Sequence, residues 1–125
     1  MAESNEINFK LLSVSTGGAP ILITGTSAAG PTVVHNHDAS ADHLDIVTLW
    51  LCNTHTSDLL VYVAIYTGSS ATDPNSIAYV DTIPAQSGIA LALDGAPVAV
   101  NYKVGVWCAT GSKITATGKA PEWTL

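Results

Sequence analysis

Apolar residues along this chain gather in short runs, and the breaks between the runs are polar or carry glycine and proline. The clearest runs are Asp45–Asn53, Asp58–Thr67, Ser76–Ile83, Ser87–Asp94 and Pro97–Ala109. A strand sends successive side chains to opposite faces, whereas an amphipathic helix needs apolar positions three and four apart. None of these runs has the helical spacing, and no helix longer than two turns is predicted. In Leu59–Tyr66, one face carries Leu59, Val61, Val63 and Ile65, and the other carries Leu60, Tyr62, Ala64 and Tyr66. Both faces are apolar, which predicts a central strand covered on both sides. Ile46–Cys52 reads the same way. The polar stretch Asn53–Asp58 has the length of a hairpin connection, so these two strands are expected to pair antiparallel.

Turn chemistry divides the rest. Pro84-Ala85-Gln86-Ser87-Gly88 and Asp94-Gly95-Ala96-Pro97 mark sharp breaks. Tyr102, Val104, Val106 and Cys108 line one face of the following strand, and Gly105 within it points to a bulge or a close backbone approach. Lys113–Thr117 is a final short strand. In the first third, Ile7–Val14, Pro20–Thr26 and Pro31–His35 read as weaker strands. Eight or nine strands with frequent turns predict an all-β, two-sheet antiparallel sandwich, jelly-roll or immunoglobulin-like. The expected organisation is an N-terminal arm over 1–6, a β-sandwich domain over 7–118 and a C-terminal tail over 119–125.

Composition narrows the function. The chain has 125 residues, 47% apolar and only 11% charged. A soluble domain carries about 25% charged residues, so part of this surface is expected to be covered by copies of the chain or by a partner. A homo-oligomer is the expectation. The formal net charge is −6, with four lysines and no arginine. Phosphate backbones and anionic lipid surfaces are recognised by dense cationic groups, so neither nucleic acid nor membrane is an expected partner. Met1–Lys10 lacks the basic start and apolar segment of a secretory signal, and Leu59–Tyr66 falls far short of the roughly 20 residues that span a bilayer. Synthesis as a soluble cytoplasmic product is expected. Cys52 and Cys108 lie inside strand patterns and read as buried thiols, with a bridge open if their strands are neighbours.

Three of the four histidines cluster in His35-Asn36-His37-Asp38 and Asp42-His43, followed by Asp45. On an extended segment His35 and His37 share a face, as a chelating pair requires, and imidazole suits a transition metal. Two nitrogens fill half a tetrahedral site, so Asp38, His43 or a symmetry mate must complete it. In a trimer, His35 and His37 of each chain would place six nitrogens about the axis. The competing reading is a polar, solvated loop. No catalytic residue is identified. His55, Ser57 and Asp58 sit within one turn without a nucleophile elbow, the three glutamates lie near the termini, and no phosphate loop with its lysine is present. Trp50 and Trp107 read as core. Trp123, beside Pro121 in a polar C-terminal segment, reads as an interface anchor.

Between about Leu44 and Gly111 the cadence LWLCNTHTSDLLVYVAIYTG (Leu49–Gly68), TIPAQSGIALALDGAPV (Thr82–Val98) and VGVWCATG (Val104–Gly111) resembles small virion proteins of tailed bacteriophages, of the capsid decoration (cement) or tail-associated type. The resemblance implies an oligomerising sandwich, most often a trimer. It also implies a non-enzymatic role on the major capsid protein lattice or among tail proteins, and location in a virion assembled in the host cytoplasm. Terminal arms that clasp neighbouring subunits would give the Trp123 segment its use. A phage tail or fibre component with a receptor- or glycan-binding role is the alternative, and a non-viral adhesion or carbohydrate-binding sandwich a third reading.

Overall fold

A computed structural model describes residues 7–38, 42–86 and 88–124; the expected arm over residues 1–6 lies outside them. Ten strands follow in chain order: β1 (Ile7–Asn8), β2 (Ile21–Ile23), β3 (Thr32–Asn36), β4 (His43–Asn53), β5 (Leu59–Tyr66), β6 (Ile77–Ile83), β7 (Ile89–Val98), β8 (Lys103–Cys108), β9 (Ile114–Lys119) and β10 (Glu122–Thr124). Among the described residues the sole helical element is a 3-10 turn, Pro74–Ser76, capped by the Asp73 side chain. No helix there is long and apolar enough to cross a membrane.

The strands form two antiparallel sheets. The first carries β2, β9, β4 and β7 in that order, extended at one end by β10 and β1; the second carries β3, β8, β5 and β6. β5 pairs with β6, β4 with β7, β3 with β8 and β2 with β9. The chain is therefore one long antiparallel ribbon closed at β5–β6, with its successive pairs laid alternately in the two sheets. That connectivity is a jelly-roll, which resolves the choice against an immunoglobulin-like order.

Two expectations are corrected here. β4 and β5 are not a hairpin: they lie in different sheets, and the connection after Asn53 crosses the edge of the sandwich. Asn53 makes the crossing workable. Its Nδ2 donates to the carbonyls of Ser57 and Ile83, and its Oδ1 accepts the His55 amide, which replaces the missing ladder partners. Two apolar faces told that each strand is central but not that they share a sheet. The C-terminal segment is also not a tail outside the domain. Thr48 faces Lys119 and Asp45 faces Glu122, three residues apart on both strands, so β9 and β10 run in one register along β4. Pro121 interrupts them because it has no N–H, yet its carbonyl still accepts from Ile46 at 2.8 Å. Counted as one interrupted line, β9 and β10 bring the strands to nine.

The core is the space between the sheets. Val47, Leu49 and Leu51 of β4 meet Val61 and Val63 of β5 and Val104 and Val106 of β8, all fully buried. A smaller cluster sits on the outer face of the second sheet, where Trp107 packs with Ala64, Tyr66 and Ala71 and stacks on Tyr62 at 5.1 Å. Trp107 is thus buried outside the main core, and Trp50 is half-buried on the outer face of the first sheet. Cys108 is buried in the core and Cys52 points outward from the other sheet, so the two remain free thiols.

Gly105 is the close approach the sequence suggested: a Cβ there would lie 2.8 Å from Tyr66 Cε1 and 3.1 Å from Pro31 Cβ. Gly118, opposite Leu49, is tighter still, because an added methyl collides with the Thr48 carbonyl oxygen. Gly118→Ala is expected to lose about 3 kcal/mol in chemical denaturation, at the upper end of overpacking costs, by parting β9 from β4. Gly30→Ala, whose added methyl meets nothing within 4 Å, is the control and is expected to leave stability within about 1 kcal/mol.

Candidate metal centre

The inner stripe of β4 is apolar from Val47 to Leu51 but begins with His43 and Asp45. Both are buried, 6% and 4% exposed. The facing strand brings His35 to the same end. β3 carries one extra residue relative to β8, since Thr32 pairs with Val106 but His35 with Val104. That bulge changes the strand's phase, so that Val34 and His35 are both buried and His37, just beyond the strand, is buried as well. From the other edge, β10 places Glu122 directly opposite Asp45.

His35 is held at both nitrogens. Its Nδ1 accepts the Ser13 amide at 3.0 Å, which puts the ring proton on Nε2, and Nε2 donates to Asp45 Oδ2 at 2.6 Å. Neither nitrogen has a lone pair left for a metal. His37 is held differently: its Nδ1 faces the Asp38 carbonyl at 2.6 Å and its Nε2 faces the His43 carbonyl at 3.0 Å. The His37 ring is also stacked on His43, with centroids 4.5 Å apart and planes 16° from parallel, so the in-plane lone pairs of the two rings do not converge.

His43 is the hub. Its Nδ1 is bonded to Asp42 Oδ1 at 3.0 Å. Its Nε2 lies 3.2 Å from Asp45 Oδ1, 3.4 Å from Glu122 Oε2 and 3.6 Å from Asp38 Oδ1. None of these is aligned as a hydrogen bond: His43 Nε2 and Asp45 Oδ1 are both buried without a hydrogen-bond partner. Lys10 reaches in from the rim and contacts Glu122 Oε2 at 2.7 Å with a half-exposed side chain. Two overlapping groups, His37–His43–Asp45 and Asp38–His43–Glu122, have ligand-type atoms close enough to hold a metal ion. A cleft of about 310 Å³, lined among others by Lys10, Ser13, His35, Asp38, Asp45 and Glu122, opens onto them.

The structure does not bring His35 and His37 together as a chelating pair. His35 spends both nitrogens on Ser13 and Asp45 and belongs to neither group, whereas His37 faces two carbonyls and belongs to the group with His43 and Asp45. Both rings are buried. His43 and Asp38 enter as the sequence allowed. Glu122 and Lys10 were not foreseen, since each is distant in sequence and joins only through the β10 register. Trp123 pairs with Leu44 and Ile7 in the first sheet, and its side chain is 43% exposed. Pro121 is half-buried beside it. No protein-family model matches this chain, and a search of curated proteins found no match.

Burial is the largest single influence on His43 and lowers its pKa. The Asp42 hydrogen bond and the charges of Glu122, Asp38 and Asp45 together outweigh it and hold the group above its ordinary 6.5. A raised folded pKa stabilises the fold fully below the unfolded value and ceases to do so as pH climbs through the raised one. In chelator-containing buffer the thermal midpoint is therefore expected to fall as pH rises from 6.5 upward. A His43→Asn variant is expected to flatten that dependence.

Proposed function

We propose that this chain is a non-enzymatic structural protein of an assembled particle, a capsid decoration or cement protein that holds to a lattice and to copies of itself, as a homotrimer, through one sheet face. The observation that carries this reading is the outer face of the first sheet. Across it, Ile89 stands opposite Cys52, Cys52 opposite Thr115 and Thr115 opposite Leu22. The neighbouring row is Leu91, Trp50 and Thr117. Ile89 is 66% exposed, and Leu91 and Leu22 are each 48% exposed. Trp123 beside Leu44 continues the same face at its far end. Contiguous apolar surface of this kind marks an interaction site, and it accords with the chain's few charges. Jelly-rolls build viral capsid and lectin domains alike, so the architecture is compatible with the reading and does not decide it.

A specific feature favours the second reading, a tail or fibre component with a receptor- or glycan-binding role. Another cleft of about 310 Å³ is lined in part by Tyr66, Tyr102, Asp73, Asn75 and Ser76. The exposed aromatic side chain of Tyr102 beside hydroxyl, amide and carboxylate groups is chemistry that grips a sugar.

Sedimentation and native mass measurement are expected to give a trimer. An Ile89→Asp, Leu91→Asp variant is expected to give folded monomers, because both side chains are already exposed. The wild type is expected to co-sediment with expanded phage heads, and the variant to remain in the supernatant. A monomeric wild type that binds neither heads nor itself would remove the first reading, and glycan-array binding lost on Tyr102→Ala would install the second.

A further inference from the structure

We propose that His43 Nε2, Glu122 Oε2 and Asp38 Oδ1, which lie within 4.8 Å of one another, form a three-residue site for one divalent transition-metal ion, with zinc as the best-fitting case and a fourth position left open. The separations from the hub set the geometry. A tetrahedral zinc site with arms of about 2.0–2.1 Å has edges of about 3.3–3.4 Å. Glu122 Oε2 and Asp38 Oδ1 lie 3.4 and 3.6 Å from His43 Nε2, close to those edges.

Two independent features point the same way. His43 Nε2 is a buried polar atom without a hydrogen-bond partner, with the Glu122 and Asp38 carboxylates beside it. Such an atom is costly to bury unless a ligand meets it. The outer contacts are also those that orient metal ligands. Asp42 holds the far nitrogen of His43, which leaves Nε2 for the ion. One nitrogen with two carboxylate oxygens suits zinc, cobalt or manganese better than calcium, which takes oxygen ligands alone.

Lys10 is the competitor. Its ammonium holds Glu122 Oε2 at 2.7 Å, and the hydrogen bond to Glu122, then its charge, raise the Lys10 pKa. Its side chain is half exposed, so it can swing into water when an ion takes the oxygen. The ion would tie β4, the segment before it and β10 together, which is a function separate from the sheet-face reading; each can fail while the other stands.

The test uses the full chain, stripped with chelator and titrated with zinc by calorimetry, with bound metal counted after dialysis. One equivalent per chain is expected, together with a rise in thermal midpoint and intense visible bands for the cobalt form. His43→Asn is expected to weaken zinc by more than the about 10–100-fold that an outer contact costs. Glu122→Gln, a change at the rim that does not threaten the core, is expected to weaken it at least about tenfold, and Lys10→Ala to tighten it. His55→Asn, which alters the one histidine outside the cluster, is expected to bind as the wild type does. The proposal is overturned if the wild type binds no zinc, or if Glu122→Gln and His43→Asn both bind it unchanged. It is equally overturned if His55→Asn alone abolishes binding.

Discussion

The two-sided pairing of β4 is the constraint on which the rest of this molecule depends. On one edge it carries β7, and on the other β9 and then β10 without a change of register. Its inner stripe spans the whole core, from His43 and Asp45 through Val47, Leu49 and Leu51 to Asn53. A slip of one residue would bury Leu44, Ile46 and Trp50 and expose that stripe. The two polar ends of the stripe are settled differently. Asn53 closes one end with hydrogen bonds to three backbone groups. At the other end two ionisable groups are buried where β4 runs past the apolar core, and they gather partners from three other segments.

The strands themselves were legible because the two-residue period and the turn residues act locally. β5 and β4 were identified as central from their two apolar faces, and each has a partner on both edges. Sheet membership was not legible. Whether a polar break such as the one after Asn53 closes a hairpin or crosses between sheets depends on where Ile83 comes to lie, thirty residues later. β10 was missed for a related reason: Glu122-Trp123-Thr124 is too short and mixed to carry a periodic signal, and it is a strand because β4 offers it an edge.

The site was half legible. Clustering of His35, His37, His43, Asp38, Asp42 and Asp45 within eleven residues showed where ionisable groups concentrate. Their division of labour turns on a bulge between Val33 and His35 and on the Ser13 amide, neither of which has a sequence signature. A His-x-His pair is read as two equal ligands only while nothing else binds the rings. Here backbone groups bind them first.

Asp45 and Glu122 stand directly opposite on neighbouring strands, an arrangement that ordinarily costs about 0.2–1 kcal/mol by like-charge repulsion. Asp38 and Asp42 add negative charge at the same end, against one half-exposed lysine. The Lys10 ammonium on Glu122 and the His43 imidazole between the two carboxylates face this pair. β10 is three residues long, and its ladders to β4 and β1 help to hold it in place. Strand alternation then links the two faces of the sheet: with Glu122 drawn inward, Trp123 must face outward, beside Leu44. The charge balance inside the sandwich thereby fixes the far end of the apolar face outside it.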